Sequence, residues 1–282
     1  MEVHRASGRL PGAKGVPSKV AMTEESKKQR QFEAKIDLMR ERIKDSDDLK
    51  VQDEVFDRRA LMDLYALASK GVIGSLGGAV STGKEANIFR AKGEDNKDLA
   101  VKIYRINTSN FKAMQNYLLG DPRFGSIKGT KRAVIVAWTR KEYRNLNRAE
   151  EVGVKVPHPI AMRENILVME MVGSGEAPAP QLKDVILEPE EAERAFEKIA
   201  EYVSLLYNKA NLVHADLSEF NILYHEGEPV IIDMGQSVTR EHPMARDFLE
   251  RDISNLARYF KKKYAVGSEE AVKEKIRAGK DL

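Results

Sequence analysis

The chain has 282 residues, of which 42% are hydrophobic and 32% are charged, enough to bury one sizeable core or two lobes around a cleft. It contains no cysteine and five scattered histidines, which excludes disulfides and thiolate zinc sites. With 47 basic and 44 acidic residues the formal net charge is +3, so the composition alone does not demand a nucleic-acid partner.

The beginning of the sequence is charged and lacks the apolar stretch of a signal peptide, and apolar runs such as "AVIVAW" are too short to span a membrane. We therefore expect a cytoplasmic protein that has neither a membrane nor DNA as a partner. The sequence does not predict an oligomeric state.

An N-terminal extension comes first in the chain. Residues 1–22 are rich in Gly, Pro, Ser and basic side chains, which is typical of a flexible tail. Residues 23–70 are expected to be helical, with a charged helix from Ser26 to about Lys44 and then an amphipathic helix that stops at Gly71. The apolar stripe of the second helix consists of Val55, Leu61, Leu64, Leu67 and Ala68.

The pattern of residues 71–175 predicts a small, strand-rich lobe. Strand signals around "GGAVSTGKEANIF", in "EANIFRAKG" and in "DLAVKIYRI" indicate an antiparallel sheet. Residues 108–130, which include "GDPRFGSIKG", are expected to form an irregular loop. A helix in "TRKEYRNLNRAEEVG" ends at Gly153, and a hairpin in "HPIAMRENILVMEMVG" leads into "EAPAP", which has the composition of a hinge.

The pattern of residues 176–265 predicts a helix-rich lobe. A long amphipathic helix begins near Pro189 in "EPEEAERAFEKIAEYVSLLYNKAN". Short apolar runs alternate with polar turns in "LVHADLSEFNILYHEGEPVIIDMGQSV", and a final helix runs from about Pro243 to Tyr264. Residues 266–282 are expected to form a C-terminal tail. The predicted fold class is α+β, with a cleft between two lobes that meet near residue 175.

The stretch "GGAVSTGKEANIF" raises the possibility of a P-loop, because from Gly78 it spells GxxxxGK. The next position is Glu85, where a P-loop requires a hydroxyl group for Mg²⁺. A carboxylate beside phosphates cannot take that role, so the sequence argues against a P-loop.

Three potential oxygen ligands lie late in the chain. Asp216 and Asn221 are five residues apart in "HADLSEFN", and Asp233 follows the apolar strand "VII". Asn221 and Asp233 can converge on one Mg²⁺ ion, which prefers oxygen ligands, while Asp216 faces an acceptor. Upstream, Lys102 lies within the strand "LAVKIY", where a buried amine is costly unless anions meet it.

Together these features resemble the RIO family of atypical protein kinases, and in particular its type-one subfamily. The residues that carry the resemblance are "STGKEANIF", "HADLSEFNIL" and "IIDMGQSV", together with "YLLGDPRF", "KEYRNL" and "HPMARDFLERDISNL". The resemblance covers roughly residues 50–265. It implies a bilobal protein-kinase-like fold, with an antiparallel-sheet N-lobe, an extra N-terminal helix, a helical C-lobe and a nucleotide cleft between the lobes.

The resemblance also implies roles for individual residues. Asp216 is the general base, Asn221 and Asp233 are the Mg²⁺ ligands, and Lys102, anchored by Glu142, contacts the α- and β-phosphates. The remaining implied contacts are the backbone N–H groups of Ser81, Thr82 and Gly83 and the side chains of Ser81 and Lys84 on phosphates, Met169 at the back of the pocket, the backbone of Glu170 and Val172 on adenine, and Ser218 where ordinary kinases have a lysine.

The implied activity is that of an ATP- and Mg²⁺-dependent serine kinase and ATPase, with Mn²⁺ as a possible substitute. The resemblance further implies autophosphorylation, transient phosphorylation of Asp233, and a role with the ribosomal RNA and proteins of the maturing small ribosomal subunit. The sequence after Asp233 has no APE motif and runs straight into a predicted helix, so a conventional peptide groove is not expected.

Two other functions remain open at this point. One is a small-molecule phosphotransferase of the aminoglycoside or choline kinase type, and the other is a nucleotide-switched, non-catalytic ribosome-assembly factor. Basic residues in "KGTKR" (128–132), with Arg123 and Lys112, and in "KKK" (261–263) can meet RNA phosphates or simply form solvated faces.

Each site residue also has a structural alternative. Lys102 fits an edge strand that faces solvent, Glu142 fits a charged helix surface, and Asp216 and Asn221 fit caps or turns. We expect His214 to pack and to hydrogen-bond the backbone rather than to act in catalysis.

Overall fold

The computed structural model describes residues 57–107, 111–124, 129–174 and 177–280. Its first helix, α1 (Arg58–Ser69), is capped by Asp57, whose carboxylate accepts a hydrogen bond from the Ala60 N–H at 2.7 Å. Helix α1 confirms the second helix predicted from the sequence. The predicted tail, the helix from Ser26 to Lys44, and Val55 lie outside the described residues.

The small lobe contains an antiparallel sheet with the order β1-β2-β3-β5-β4, as the strand signals predicted. One face of the sheet packs on α1, and Val101 and Ile103 point to that face. The strands are β1 (Ser75–Thr82), β2 (Ala86–Lys92), β3 (Asp98–Tyr104), β4 (Pro159–Arg163) and β5 (Ile166–Glu170).

The predicted irregular loop over residues 108–130 is wrong in part, because a helix, α2 (Phe111–Leu119), and a 3₁₀ turn (Pro122–Phe124) lie within it. Met114 and Leu118 of α2 are buried against Trp138. The apolar spacing is helical, but the helix has only nine residues and is followed by Gly and Pro, so turn composition dominated the prediction.

Helix α3 (Lys131–Glu151) contacts β4 and β5 of the sheet. It confirms the predicted helix that ends before Gly153. Its N-cap is Thr130, whose hydroxyl accepts from the Ala133 N–H at 3.2 Å. The chain then passes from β5 through β6 (Gly173–Ser174) and β7 (Ala177–Pro178) into the second lobe.

The second lobe is built on two long helices, α4 (Pro189–Asn208) and α5 (Ala245–Tyr264), both close to their predicted bounds. Between them lie two small antiparallel pairs, which place the polar turns of the sequence at the cleft. The pairs are β8 (Leu212–Val213) with β11 (Val238–Thr239), and β9 (Ile222–His225) with β10 (Glu228–Ile231).

A further helix, α6 (Glu269–Ala278), lies in the stretch predicted as a C-terminal tail. Its Val272 and Ile276 are buried against the core of the second lobe, and its backbone carbonyls accept hydrogen bonds from Ser204 and Asn208 of α4. The core of the second lobe therefore continues past residue 265. In the part of the chain that the structure describes, no helix combines the length and the apolar character needed to cross a bilayer.

Candidate active site

A cleft of about 560 Å³ lies between the two lobes. Its apolar walls include Ile88, Ala100 and Leu146, and its polar end contains Lys102 and Asp233. Of the residues singled out in the sequence, the structure brings to this cleft Ser81, Gly83, Lys84, Lys102, Glu142, Met169, Glu170, Val172, Asn221 and Asp233, whereas Thr82, Asp216 and Ser218 do not line it.

Lys102 lies at the centre of the polar end. Its Nζ donates to Glu142 Oε1 at 2.8 Å and to Asp233 Oδ1 at 3.0 Å. Because β3 pairs with β2 and β5, it is an interior strand, and Lys102 is only 7% exposed. Glu142 is 1% exposed, and the Tyr104 hydroxyl also donates to it. The alternatives of a solvent-facing lysine and a surface glutamate are therefore wrong.

The charges of Lys102, Glu142 and Asp233 influence one another. Burial lowers the pKa of Lys102, but Asp233 and Glu142 raise it further, so the net pKa lies well above its usual value. Burial raises the pKa of Glu142, and Lys102 opposes that shift. Lys102 holds the pKa of Asp233 below its usual range. The amine thus stays protonated and Asp233 stays ionised at neutral pH.

Asn221 and Asp233 lie together because the β9–β10 hairpin brings its two ends side by side. Ile222 pairs with Ile231, and the Ile232 N–H donates to the Asn221 carbonyl at 3.0 Å. Within the described ranges there is no cluster of three His, Cys, Asp or Glu side chains suited to a metal. One carboxylate and one amide do fit Mg²⁺, which usually takes few protein ligands and completes its shell with water and phosphate oxygens.

Asp216 lies beside Asn221, just outside the cleft lining. Its Oδ2 accepts from Asn221 Nδ2 at 3.0 Å and from Gln236 Nε2 at 3.1 Å, so the carboxylate is oriented by two amides. Burial raises the pKa of Asp216. His214 is 2% exposed and its Nε2 lies 3.0 Å from the Ile232 carbonyl, which confirms the expected packing role.

Asp252 is a supporting residue that the sequence reasoning missed. This buried side chain of α5 accepts from the Ala215 N–H at 2.8 Å and from the Leu217 N–H at 2.9 Å, and so holds the backbone on both sides of Asp216. Burial raises its pKa to about 6. Arg251 donates to the Ala215 carbonyl. The signal available in the sequence was that Asp252, an acidic residue, lies next to Ile253 on the apolar face of the predicted final helix.

Lys141 and Asn145 of α3 were also missed, and they hold the turn that follows Asp233. Lys141 is fully buried and its Nζ donates to the carbonyls of Gly235 at 2.9 Å and Gln236 at 3.1 Å. Asn145 Nδ2 donates to the carbonyls of Met234 at 2.8 Å and Ser237 at 3.0 Å. Their spacing of four residues places both on one face of α3.

The predicted phosphate loop joins β1 to β2, so it connects two strands rather than a strand and a helix. The Gly83 N–H, predicted as a phosphate contact, donates in this structure to the Ala86 carbonyl at 2.9 Å and closes the hairpin. A Cβ at Gly83 would lie 3.0 Å from that same carbonyl, which explains a glycine at this position.

Both arginines of the predicted RNA-facing set form ion pairs within the chain. Arg123 forms an ion pair with Asp121 at 2.6 Å and donates to Asn145, and Arg132 lies 3.2 Å from Glu164. Lys112 and Lys131 are exposed, and Lys128 lies outside the described residues.

The sequence of the chain is similar to those of known proteins. Residues 87–274 match the RIO domain family. The chain is 49% identical over 229 residues to the RIO-type serine/threonine-protein kinase Rio1 of Haloferax volcanii, covering 81% of this chain and 78% of that protein. It is 44% identical over 241 residues to the Methanocaldococcus jannaschii protein of the same name, covering 85% and 81%.

A solved structure is similar as well. The crystal structure of the Rio2 kinase–ADP/Mg²⁺–phosphoaspartate complex from Chaetomium thermophilum superposes with a TM-score of 0.57 at 23% identity, covering 77% of this chain and 66% of that one. This likeness confirms the predicted bilobal, protein-kinase-like α+β fold.

Proposed function

The chain belongs to the RIO family, whose relatives described above are serine/threonine-protein kinases, and from this membership we propose that it is an atypical protein kinase that uses ATP with Mg²⁺. The observation that carries the proposal is Lys102, held between Glu142 and Asp233 at the polar end of a two-lobed cleft. A buried amine paired in this way is the arrangement that positions phosphates in protein kinases.

The cleft fits an adenine nucleotide. Its volume and apolar walls suit a flat base, with Met169 at the back. The Glu170 N–H donates to the His158 carbonyl, and the Val172 carbonyl accepts from the Ala179 N–H, both at 2.9 Å. We therefore assign adenine recognition to the Glu170 carbonyl and the Val172 N–H, while Ser81 and Lys84 face the phosphates.

Asn221 and Asp233 are the residues that would hold the metal. When bound, Mg²⁺ neutralises phosphate charge during transfer, and Mn²⁺ is an expected substitute. Lys102 keeps Asp233 ionised, which a metal ligand requires. Asn221 also donates to Asp216, so the metal ligand and the acceptor-facing carboxylate are held at a fixed spacing.

Asp216 is the group that we assign to the acceptor hydroxyl. Its Oδ2 is held by Asn221 and Gln236, which restrains the carboxylate so that it can accept the proton of a serine hydroxyl. Ser218 follows in the same loop and leaves a smaller side chain where ordinary kinases place a lysine. The names of the relatives favour a protein acceptor over a small molecule.

We further propose that Asp233 can itself be phosphorylated, which gives ATPase activity. A carboxylate oxygen of Asp233 would form a bond to the γ-phosphorus while the bond from that phosphorus to the ADP oxygen breaks, and water would then hydrolyse the acyl phosphate. The supporting observation is that the Asp233 side chain is 45% exposed and ionised. A phosphoaspartate is named for the Chaetomium thermophilum Rio2 kinase.

Maturation of the small ribosomal subunit in the cytoplasm is the proposed setting. Lys112 and Lys131 are exposed and available to RNA phosphates, with Lys128 as a third candidate. The second candidate role, a nucleotide-switched assembly factor, uses the same contacts with slow turnover as a timer. Arg132 contributes less to such a surface, because Glu164 and Asp63 already lie beside it.

One experiment tests these roles together. The purified chain is incubated with γ-labelled ATP and Mg²⁺, with and without small-subunit precursors, and the label is tested with acid and hydroxylamine. We expect a hydroxylamine-sensitive label that Asp233→Ala abolishes, together with transfer to serine. Acid-stable phosphoserine alone would refute the aspartyl phosphate, and nucleotide binding without any transfer would favour the switch.

A further inference from the structure

A second cleft, of about 490 Å³, adjoins the loop that carries Asp216. It lies between that loop and the C-terminal half of α5. It is lined by Glu219, Asn255, Arg258, Tyr259, Lys262 and Lys263. We name this the basic cleft, because three cations and one carboxylate line it.

The basic cleft shares a wall with the nucleotide cleft. Glu219 lines the basic cleft, whereas Phe220 and Asn221 line the nucleotide cleft, so adjacent residues of one loop face both spaces. Asn255 Nδ2 donates to the Leu217 carbonyl at 3.4 Å, which ties α5 to the same loop. A polypeptide that brings a hydroxyl to Asp216 would therefore lie close to the basic cleft.

The cations of the basic cleft differ in how they are held. Lys263 is fixed by hydrogen bonds from its Nζ to the carbonyls of Lys183 at 2.9 Å and Val185 at 2.8 Å. Arg258 donates to Asn255 Oδ1 at 2.7 Å. Arg258 and Lys262 are exposed, and among residues 57–280 as described no carboxylate lies within ion-pair distance of either. Both side chains are therefore placed to pair with an anionic group of a partner molecule.

Phe220 lines the nucleotide cleft and directly follows Glu219, which lines the basic cleft. Phe220 is 51% exposed, although it lies next to the proposed metal ligand Asn221. Lys183 Nζ lies 5.0 Å from the ring centroid, which adds another cation at the edge of this surface. An exposed aromatic ring beside a cluster of cations suits a peptide that has both apolar and acidic residues.

We propose that the basic cleft binds acidic residues that flank the acceptor serine of a polypeptide substrate. The proposal deepens the kinase function and rests on it. Nucleic acid fits less well, because RNA-binding surfaces spread cations along a backbone, whereas here the cations converge on one cleft with Glu219 in its wall.

The test uses two synthetic peptides of equal length with one central serine, flanked by Asp and Glu in one and by Asn and Gln in the other. With the full chain, ATP and Mg²⁺, we expect the acidic peptide to have a KM roughly tenfold lower at low ionic strength, and the advantage to shrink at about 0.5 M salt. The double variant Arg258→Glu/Lys262→Glu should abolish this preference.

The matched control is the double variant Arg246→Glu/Lys261→Glu, which makes the same charge change at two exposed positions of the same helix that do not line the basic cleft, and it should keep the preference. Equal KM values for the two peptides, with ATP hydrolysis intact, would overturn the docking proposal and leave the kinase function standing. Absence of ATP hydrolysis in the natural chain would instead count against the kinase function.

RNA provides the remaining outcome. A single-stranded RNA oligonucleotide of mixed sequence is added as a competitor of the acidic peptide. Competition that depends on Arg258 and Lys262, without a KM preference between the peptides, would show that the basic cleft serves RNA and would overturn the proposal.

Discussion

Two buried lysines of the small lobe show how the partner, rather than burial, decides the state of an amine. Lys102 meets two carboxylates, and its pKa lies well above the usual value. Lys141 meets backbone carbonyls and lies 5.1 Å from the centroid of the Trp138 ring, and burial lowers its pKa to about 7. The first amine is a permanent charge for phosphates, whereas the second is a support for the backbone.

Replacing Lys102 by Met should have the largest effect. Removing the amine takes a cation from the phosphates and leaves Glu142 buried without its partner, so we expect turnover to fall by about 10³-fold and stability by about 3–5 kcal/mol. ATP turnover and urea unfolding measure the two effects. The double variant Lys102→Met/Glu142→Leu should regain stability but not turnover. A single variant as stable as the natural chain would show that Glu142 does not need Lys102 as its partner.

Asp216→Ala removes a carboxylate that bonds to neither lysine. We expect phosphoryl transfer to fall by about 10²- to 10⁴-fold, since the acceptor hydroxyl loses its base. Nucleotide affinity, measured by calorimetry, should stay close to that of the natural chain. Unchanged transfer would remove Asp216 from its role.

Asp252→Asn tests whether Asp252 positions the backbone on both sides of Asp216. The carboxylate accepts two backbone N–H bonds, and an amide of the same shape can accept only one of them well. We expect kcat to fall by about tenfold while the KM for ATP changes little, because Asp216 loses its fixed backbone. A change in the KM for ATP alone would contradict this positioning role.

Lys141→Met should have the smallest effect on turnover, and its effect on stability depends on pH. In the folded chain Lys141 releases its proton near pH 7, whereas in the unfolded chain it does so near 10.5, so the unfolded state binds more protons between these values. Stability of the natural chain relative to the variant should therefore rise with pH, by at most about 1.4 kcal/mol per unit, between about pH 7 and 10. Urea unfolding at three pH values measures the slope. A flat difference would mean that Lys141 titrates normally.

The same contrast explains what the sequence could predict. Lys102, Asn221 and Asp233 were predictable from strand position and motif spacing, Glu142 followed from the resemblance to protein kinases, and the structure gathers all four. Lys141 was not, because a lysine in "TRKEYR" has the appearance of a surface residue. Its partners are carbonyls about 95 residues away, and a carbonyl has no residue type to recognise.

Some elements of the fold were likewise predictable from the sequence, and others were not. Long amphipathic helices and alternating strands were predicted close to their bounds, since their periodicity extends over many residues. Helices α2 and α6 have nine and ten residues with only two fully buried positions each, and this pattern is too short to outweigh neighbouring turn or charge composition. The Gly83 hydrogen bond was missed because hairpin closure uses backbone groups alone.

Helix α6 also determines where the chain can be shortened. A fragment cut at residue 265, where the amphipathic pattern of α5 ends, would lose Val272 and Ile276 from the α4 face, a burial contribution of about 3–6 kcal/mol. That is a large share of the roughly 5–15 kcal/mol that holds a domain together. Such a fragment would expose the apolar residues of the second lobe that α6 covers. A loss of solubility after truncation would then reflect the missing helix rather than damage to the catalytic centre.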